Sequence, residues 1–268
     1  MSGALTFNGT TAASLGIRIG GVTPYDAPGR EVQTYTVPGR IGAVYPVKDL
    51  SQIPNEVREY SAALFKRAAT PETVERTMAQ IRHWLLGLDG YAELTDSYEP
   101  QFYRRAFFTG DFAAIRKGAG QNFEFPLRFS CDPRRFIAGD HHFTVAGVPS
   151  SAVYTTPETV NNFPINEAAR PLIRVSNGGD QVTVTFTDVT EVGGVPRNKQ
   201  IGQIVLANYT DDFWFDAESL TAYYDDGLPA NNRVEDVIGE IWIGKGQTKI
   251  SFNSSLVQLT IYPRWWVR

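Results

Sequence analysis

The sequence predicts a mainly β protein built as two domains. Apolar and polar residues alternate with a period of two in both halves of the 268-residue chain, and a strand turns successive side chains to opposite faces. A chain of this length exceeds the usual size of one domain, about 100 to 200 residues. One segment stands out with the apolar spacing of an amphipathic helix. We therefore expect each half to bury a core of its own between strands.

In the first half, the clearest strand runs from Phe123 to Cys131, where every second residue is apolar. Pro126 interrupts this strand, and because proline cannot donate to a ladder, we expect an edge position or a bulge there. The stretch from Asn55 to Lys66 fits neither the helical nor the strand period cleanly, and Pro54 could open a helix or bound a strand. We interpret this stretch as a strand.

A helix is predicted between Thr70 and Gly87. Thr70 is a suitable N-cap, Pro71 suits the first helical position, and Gly87 is a suitable end. The residues that share its apolar face are Val74, Met78, Ile81 and Leu85.

A domain boundary is indicated between about Gly139 and Asn166, where Gly, Pro, Ser, Thr and Asn accumulate. We expect an N-terminal domain over residues 1–140, a linker over 141–165 and a C-terminal domain over 166–268. The second domain shows short alternating runs separated by turn-type residues, as a sandwich of antiparallel strands requires. Its expected strands lie at Val182–Phe186, Ile250–Phe252 and Val257–Ile261.

Composition narrows the class of function. The formal net charge is −4, from 25 basic and 29 acidic residues, so the chain lacks the basic footprint of a nucleic-acid-binding protein. The single Cys131 excludes an internal disulfide and a cysteine-rich metal site. No segment has the features of a signal peptide or of a membrane span. These features fit synthesis in the cytoplasm, with no membrane insertion.

The usual local signatures of catalysis are absent. The sequence has no Gly-x-Ser-x-Gly elbow and no phosphate-binding loop ending in Gly-Lys-Ser/Thr. His141 and His142 are adjacent, so a strand would point their rings to opposite faces and make a shared metal site awkward. We expect His83 to face solvent on the helix, and Cys131 to be an inert core residue. We predict no catalytic residue, no cofactor and no metal ligand.

Clusters of acidic residues are the strongest candidates in the sequence for an enzyme active site or a cation site. Two carboxylates held about 5 to 9.5 Å apart could split a glycosidic bond, and several could bind calcium. Aspartate is also abundant in turns, where its side chain bonds the backbone two residues on, and we favour that interpretation. The clusters are Glu93, Asp96 and Glu99; Asp211, Asp212 and Asp216; and Asp225 with Asp226.

Aromatic residues of the second half offer another alternative, because a β-sandwich can stack ring faces against sugars. Trp265 and Trp266 at the C-terminus are adjacent, so on a strand one of them could stay exposed for a neighbouring protein to cover. The aromatic residues available for a sugar platform are Trp214, Tyr223, Tyr224, Trp242, Trp265 and Trp266.

Short motifs in a fixed order resemble the distal tail proteins of long-tailed bacteriophages, which are tail hub or baseplate proteins. In the first half they are Phe7-Asn8-Gly9, Leu15-Gly16-Ile17, Val37-Pro38-Gly39-Arg40-Ile41-Gly42, Ile81-Arg82-His83-Trp84-Leu85, Leu94–Glu99 with Phe102-Tyr103, and Phe129-Ser130-Cys131-Asp132-Pro133. In the second half they are Asn162-Phe163-Pro164, Arg170–Val175, Phe215-Asp216 and Gly239–Gly246.

The resemblance implies an N-terminal β-sandwich-like domain with one helix and a β-hairpin, and a C-terminal sandwich of galectin-like or carbohydrate-module-like jelly-roll type. It implies a structural protein of the virion at the distal end of the tail, made in the bacterial host cytoplasm. The implied partners are further copies in a hexameric ring, the major tail tube protein, the tail-tip hub protein and a receptor-binding protein. Two departures are Asp132-Pro133-Arg134 after the cysteine and a C-terminal domain with no clear lectin signature.

Subunit contacts are expected at the Gly-rich turn that contains Arg40, at the aromatic hairpin near Phe102–Phe108 and at the C-terminus. Two other functions stay open from the residues alone. A carbohydrate-binding module would be a monomer that binds bacterial cell-wall polysaccharide, and a glycoside hydrolase would depend on the acidic residues. The expected interface residues are Arg40, Phe102, Tyr103, Phe107, Trp265 and Trp266.

Overall fold

The computed structural model describes residues 4–23, 35–36, 43–44, 56–65, 70–88, 90–110, 112, 114–117, 122–146, 151–165, 168–177, 179, 181–192, 195–253 and 257–267. The described part is mainly β with a single α-helix, so the predicted fold class is confirmed. The chain divides into two units, one of residues Met1–Ala138 and one of residues Gly139–Val267.

The first unit contains a large antiparallel sheet that curls around its own core. The main path of the sheet has the order β2-β1-β7-β8-β10-β6-β3, with β9 beside β10 and β11 beside β8, while β4 and β5 pair separately. A 3-10 helix, Ala12–Leu15, follows β2. The strands are β1 (Leu5–Phe7), β2 (Thr10–Thr11), β3 (Ile17–Thr23), β4 (Tyr35–Thr36), β5 (Ala43–Val44), β6 (Glu56–Phe65), β7 (Ala92–Asp96), β8 (Phe102–Phe108), β9 (Ile115–Lys117), β10 (Asn122–Cys131) and β11 (Arg135–Ile137).

The longest pairing of this sheet joins β6 and β10, the two segments that the sequence predicts as strands. They are antiparallel in continuous register from Glu56 opposite Cys131 to Phe65 opposite Asn122. Pro126 lies between the two segments of β10 that pair on its other side, residues 122–124 with β9 and 129–131 with β8. Among the described strands, β10 thus has a neighbour on one side only at Pro126, which fits the predicted edge position for a residue that cannot donate to a ladder.

The helix α1, Pro71–Leu86, closes the apolar core of this unit. It begins as predicted, with the Thr70 hydroxyl accepting from the Thr73 backbone N–H at 3.3 Å. The predicted apolar face is buried, and Trp84 adds to it by donating its indole N–H to the Phe7 carbonyl at 2.9 Å. One hydrogen bond therefore ties the helix to the first strand.

The second unit contains two five-stranded antiparallel sheets, with the orders β12-β23-β16-β19-β20 and β13-β22-β17-β18-β21. The predicted strands at 182–186, 250–252 and 257–261 are confirmed. The strands are β12 (Phe143–Ala146), β13 (Ser151–Thr155), β14 (Thr159–Val160), β15 (Phe163–Pro164), β16 (Leu172–Ser176), β17 (Val182–Val192), β18 (Val195–Leu206), β19 (Phe213–Asp216), β20 (Thr221–Tyr223), β21 (Val234–Gly239), β22 (Gln247–Phe252), β23 (Gln258–Tyr262) and β24 (Trp266–Val267); a 3-10 helix spans Asn231–Arg233.

The segment 141–165, which the sequence predicts as a linker, carries strands of the second unit instead. β12 pairs with β23 and β13 pairs with β22, each at the edge of a sheet. Val145 and Val160 are buried. Turn-type residues in this segment lie between short edge strands. Because each strand is short, it adds few apolar residues, so the composition of the segment indicates a boundary although the segment contains strands.

Candidate interaction surfaces

A network of charged side chains is buried on the core-facing side of the large sheet in the first unit. Arg58 on β6 and Arg104 on β8 supply the cations, and both side chains are buried. Arg58 Nη1 lies 2.5 Å from Glu99 Oε2, and Arg104 Nη2 lies 2.9 Å from the same oxygen. Glu56 Oε2 lies 3.3 Å from Arg104 Nη2, and Asp96 Oδ2 lies 3.6 Å from Arg58 Nη2. The network joins three strands to the turn after β7.

Asp96 is held by hydrogen bonds at both of its oxygens. Oδ1 accepts from the backbone N–H groups of Tyr98 and Glu99, each at 2.9 Å. Oδ2 accepts from the Tyr60 hydroxyl at 2.6 Å. This is the turn role that we favour from sequence, because the side chain bonds the backbone two residues on. Asp96 and Glu99 of this cluster are therefore paired with Arg58, whereas Glu93 lies at an exposed position of β7.

Burial governs the protonation of the groups around this network. It raises the pKa of Glu56, against the opposing fields of Arg104 and Arg58. It raises the pKa of the Cys131 thiol to about 12, so the thiolate is disfavoured, in accord with an inert core cysteine. Burial alone lowers the pKa of Arg58, but nearby Tyr60 and the carboxylates outweigh it, and the pKa is raised. Arg58 therefore stays charged.

Two acidic residues that the sequence singles out in the second unit, Asp216 and Asp226, are likewise held by an arginine or by a turn. Asp216 receives two hydrogen bonds from Arg264, at 3.0 and 2.7 Å, and one from the Glu218 backbone N–H at 2.8 Å. Asp226 accepts from the Leu228 backbone N–H at 3.0 Å. Within the described residues, no group of three His, Cys, Asp or Glu side chains is placed to hold a metal ion.

In the second unit, one face of the sheet β12-β23-β16-β19-β20 carries a row of aromatic and charged side chains. Arg174 on β16, Trp214 on β19 and Tyr223 on β20 lie directly opposite one another in register. The Arg174 guanidinium carbon lies 5.6 Å from the Trp214 ring centroid, and the Tyr262 ring lies 5.5 Å from it. The His142 ring follows at 5.2 Å from that of Tyr262. We call these five residues the aromatic face.

An apolar pocket of about 320 Å³ opens beside the end of α1 in the first unit. Leu86 and Tyr91 on its rim are 59% and 46% exposed. The Tyr91 ring meets the Phe107 ring edge-on, with centroids 5.1 Å apart. The residues that line the pocket are Phe7, Leu85, Leu86, Leu88, Gly90, Tyr91, Phe107 and Phe108.

The five expected interface residues that the structure describes differ in their surroundings. Phe107 lies at the apolar pocket, and Tyr103 is half-buried with its ring stacked on Phe136 at 5.1 Å. Phe102, Trp265 and Trp266 are buried within the chain, so they offer little surface to a neighbour. Trp266 donates its indole N–H to the Ala168 carbonyl at 3.1 Å. Arg40 lies outside the described residues, and the interface role of all six stays a prediction.

Sequence reasoning missed Leu86, Tyr91 and Arg174. A signal for Leu86 was present, because it stands off the apolar stripe of the helix that ends at Leu85. Arg174 gives no local signal, since its partner Trp214 lies 40 positions away in sequence and meets it through strand pairing.

His83 is exposed on α1, as predicted, and His142 Nδ1 contacts Asp140 Oδ1. The part of the chain that the structure describes holds no helix with the length and hydropathy of a bilayer span.

The whole chain is similar in fold to phage hub and baseplate proteins. It matches the Dit protein of phage SPP1, a paradigm of the hub adsorption apparatus in phages that infect Gram-positive bacteria, with a TM-score of 0.58 and 14% identity, over 98% of this chain and 99% of that one. Chains of the phage P2 baseplate in its activated conformation match with TM-scores of 0.51. The form with Ca is 9% identical over 97% of this chain and 98% of that one, and the form with Sr is 10% identical over 97% of each.

No family model matches the chain, and no curated protein matches it significantly. The likeness therefore concerns the fold, and at that level the predicted resemblance to phage tail hub and baseplate proteins is confirmed.

Proposed function

We propose that this chain is a structural distal tail protein, the hub of a long-tailed bacteriophage tail. The observation that carries the proposal is the coverage of the match to SPP1 Dit, 98% of this chain and 99% of that one. A β-sandwich alone is shared by many unrelated proteins. A match through both units in one order, with almost nothing left over on either side, is a far more specific likeness.

The proposed assembly is a hexameric ring at the distal end of the tail. The N-terminal units close around a channel below the major tail tube protein, and the C-terminal units project outward towards the tail-tip hub protein and a receptor-binding protein. Ring closure needs complementary surfaces repeated around an axis and no catalytic groups. The pairing of Asp96, Glu99 and Asp216 with arginines is consistent with such a non-enzymatic role.

We place one subunit contact at the apolar pocket. Leu86 and Tyr91 expose apolar surface beside a cavity, and a neighbouring copy that covers them would remove that surface from water. Of the interface residues expected from sequence, Phe107 belongs to this contact directly. Tyr103 lies on the same face of β8, because the two residues are an even number of positions apart.

A charge at the pocket rim tests this contact. Leu86→Glu should shift the protein from ring to monomer in sedimentation velocity, since it buries a carboxylate against an apolar neighbour. Leu228→Glu is a matched control, because Leu228 is 61% exposed against 59% for Leu86 and lies in the other unit. A ring that persists in Leu86→Glu, or dissociates equally in both variants, would place the contact elsewhere.

Electron microscopy of phage particles tests the function itself. An antibody against the chain, applied to particles of the phage that encodes it, should label the end of the tail distal to the capsid. Label on the capsid, or particles that lack the chain altogether, would refute a tail hub function.

A further inference from the structure

The aromatic face of the second unit has the chemistry of a ligand site that the proposed hub function does not use. Its residues lie on the solvent side of their sheet, because Ile173, Val175, Phe213 and Phe215 alternate with them and are buried. Tyr262 on β23 stands opposite Leu172 on β16, two positions along that strand from Arg174, which stands opposite Trp214 on β19. The rings of Tyr262 and Trp214, from two different strands, therefore adjoin on one surface.

The side chains of this surface are held in place before any ligand arrives. The Trp214 indole N–H donates to Asp225 Oδ1 at 2.6 Å. Arg174 Nη2 donates to Asp225 Oδ2 at 3.3 Å and lies 3.4 Å from Asp212 Oδ2. A pre-ordered site loses less conformational entropy on binding, so weak individual contacts can add up to measurable affinity.

Hydrogen-bonding capacity remains at the edge of the rings. An ionised carboxylate can accept at about four positions, and Asp225 uses one position on each oxygen while its side chain stays 63% exposed. Asp212 is 41% exposed. These carboxylates lie beside a flat aromatic surface and can each accept from neighbouring hydroxyl groups.

We propose that the aromatic face binds the pyranose rings of a neutral glycan. The apolar side of a sugar ring packs on an aromatic ring, while its hydroxyls donate to carboxylates at the ring edge. The charge balance favours a neutral sugar, because Arg174 already faces two carboxylates, Asp212 and Asp225, and has no charge to spare for an anionic one.

A protein partner suits this face less well. The buried core of a contact between proteins is depleted in aspartate, whereas Asp212 and Asp225 lie beside the rings of this face with side chains that are 41% and 63% exposed. None of the large, strongly exposed apolar residues described lies on β12, β16, β19, β20 or β23. Glycan binding is also independent of the proposed ring, because a monomer would carry the same face.

The test is binding of the full chain to a printed array of defined neutral and acidic oligosaccharides, followed by calorimetry with the strongest soluble one. We expect binding to a neutral oligosaccharide that Trp214→Ala weakens at least tenfold. Asp225→Ala changes an exposed side chain, so it should leave the fold intact and still weaken binding. Trp242→Ala is the matched control, since Trp242 is half-buried in the same unit but outside those five strands.

The possible failures are distinct. Absence of binding to every neutral oligosaccharide, binding to acidic ones alone, or binding that both Trp214→Ala and Asp225→Ala retain would overturn the proposal. Capture of a tail protein that depends on Trp214, without any glycan binding, would also overturn it and assign the face to protein contact. None of these results bears on whether the chain forms a ring.

Discussion

Replacing Arg58 by methionine should strongly destabilise the first unit. Arg58 is 1% exposed, and its guanidinium lies within 4 Å of the carboxylates of Glu99, Asp96 and Glu56. Removal of one partner from a buried ion pair costs about 3 to 5 kcal/mol, because the remaining charge loses its compensation. Arg58 Nε and Nη2 find no hydrogen-bond acceptor among the described residues. Arg58→Met also removes these two buried donors, whose lack of an acceptor already costs stability in the native chain. We therefore expect the free energy of unfolding to fall by about 3 kcal/mol, the lower end of the range.

Urea unfolding followed by circular dichroism measures this effect, with the transition of the first unit fitted separately if the two units unfold apart. Arg76→Met is the matched control, because Arg76 pairs with Glu72 on the exposed surface of α1 and should cost only about 0.5 kcal/mol. Adding Glu99→Gln to Arg58→Met should recover part of the loss. If Arg58→Met and Arg76→Met lower the free energy of unfolding equally, the buried network does not stabilise the first unit more than a surface ion pair does.

Three further effects follow from buried groups of the first unit. Trp84→Phe should lower the free energy of unfolding by about 1 to 3 kcal/mol, because the Phe7 carbonyl loses its 2.9 Å donor; an unchanged urea midpoint would contradict this. Cys131 should react with a thiol reagent only after unfolding, since burial raises its pKa to about 12, and rapid labelling of the native chain would argue against its burial. Because burial raises the pKa of Glu56 above its ordinary value of 4.5, the folded state holds that proton more tightly, so its contribution to stability falls as the pH rises. The stability of the native chain relative to Glu56→Gln should therefore decline in urea titrations as the pH rises above 4.5, and a difference that grows with pH would refute this assignment.

The parts of the fold that sequence predicted are those with a strong local signal. The Phe123–Cys131 alternation and the capped helix after Thr70 each repeat a pattern over nine or more residues, so packing reinforces the local preference. The segment 141–165 failed as a linker because its strands are short edge strands, whose pairing partners come from the end of the chain. Pairing at that sequence distance leaves no local trace.

The candidate surfaces depend on the same distant pairings. Acidic residues were visible in sequence, but the arginines that bind them were not, because Arg58 lies 41 positions from Glu99 and Arg264 lies 48 positions from Asp216. Trp265 and Trp266 looked available for a partner, yet both are buried. An exposed position at a chain end cannot be inferred from the alternation of two residues alone.

The mass of the purified chain in solution tests the central proposal most directly. Light scattering across a range of concentrations, with negative-stain microscopy of the same sample, should give particles of about six times the chain mass of 29.7 kDa with a central hole. A mass of 29.7 kDa at every concentration would contradict the proposed ring.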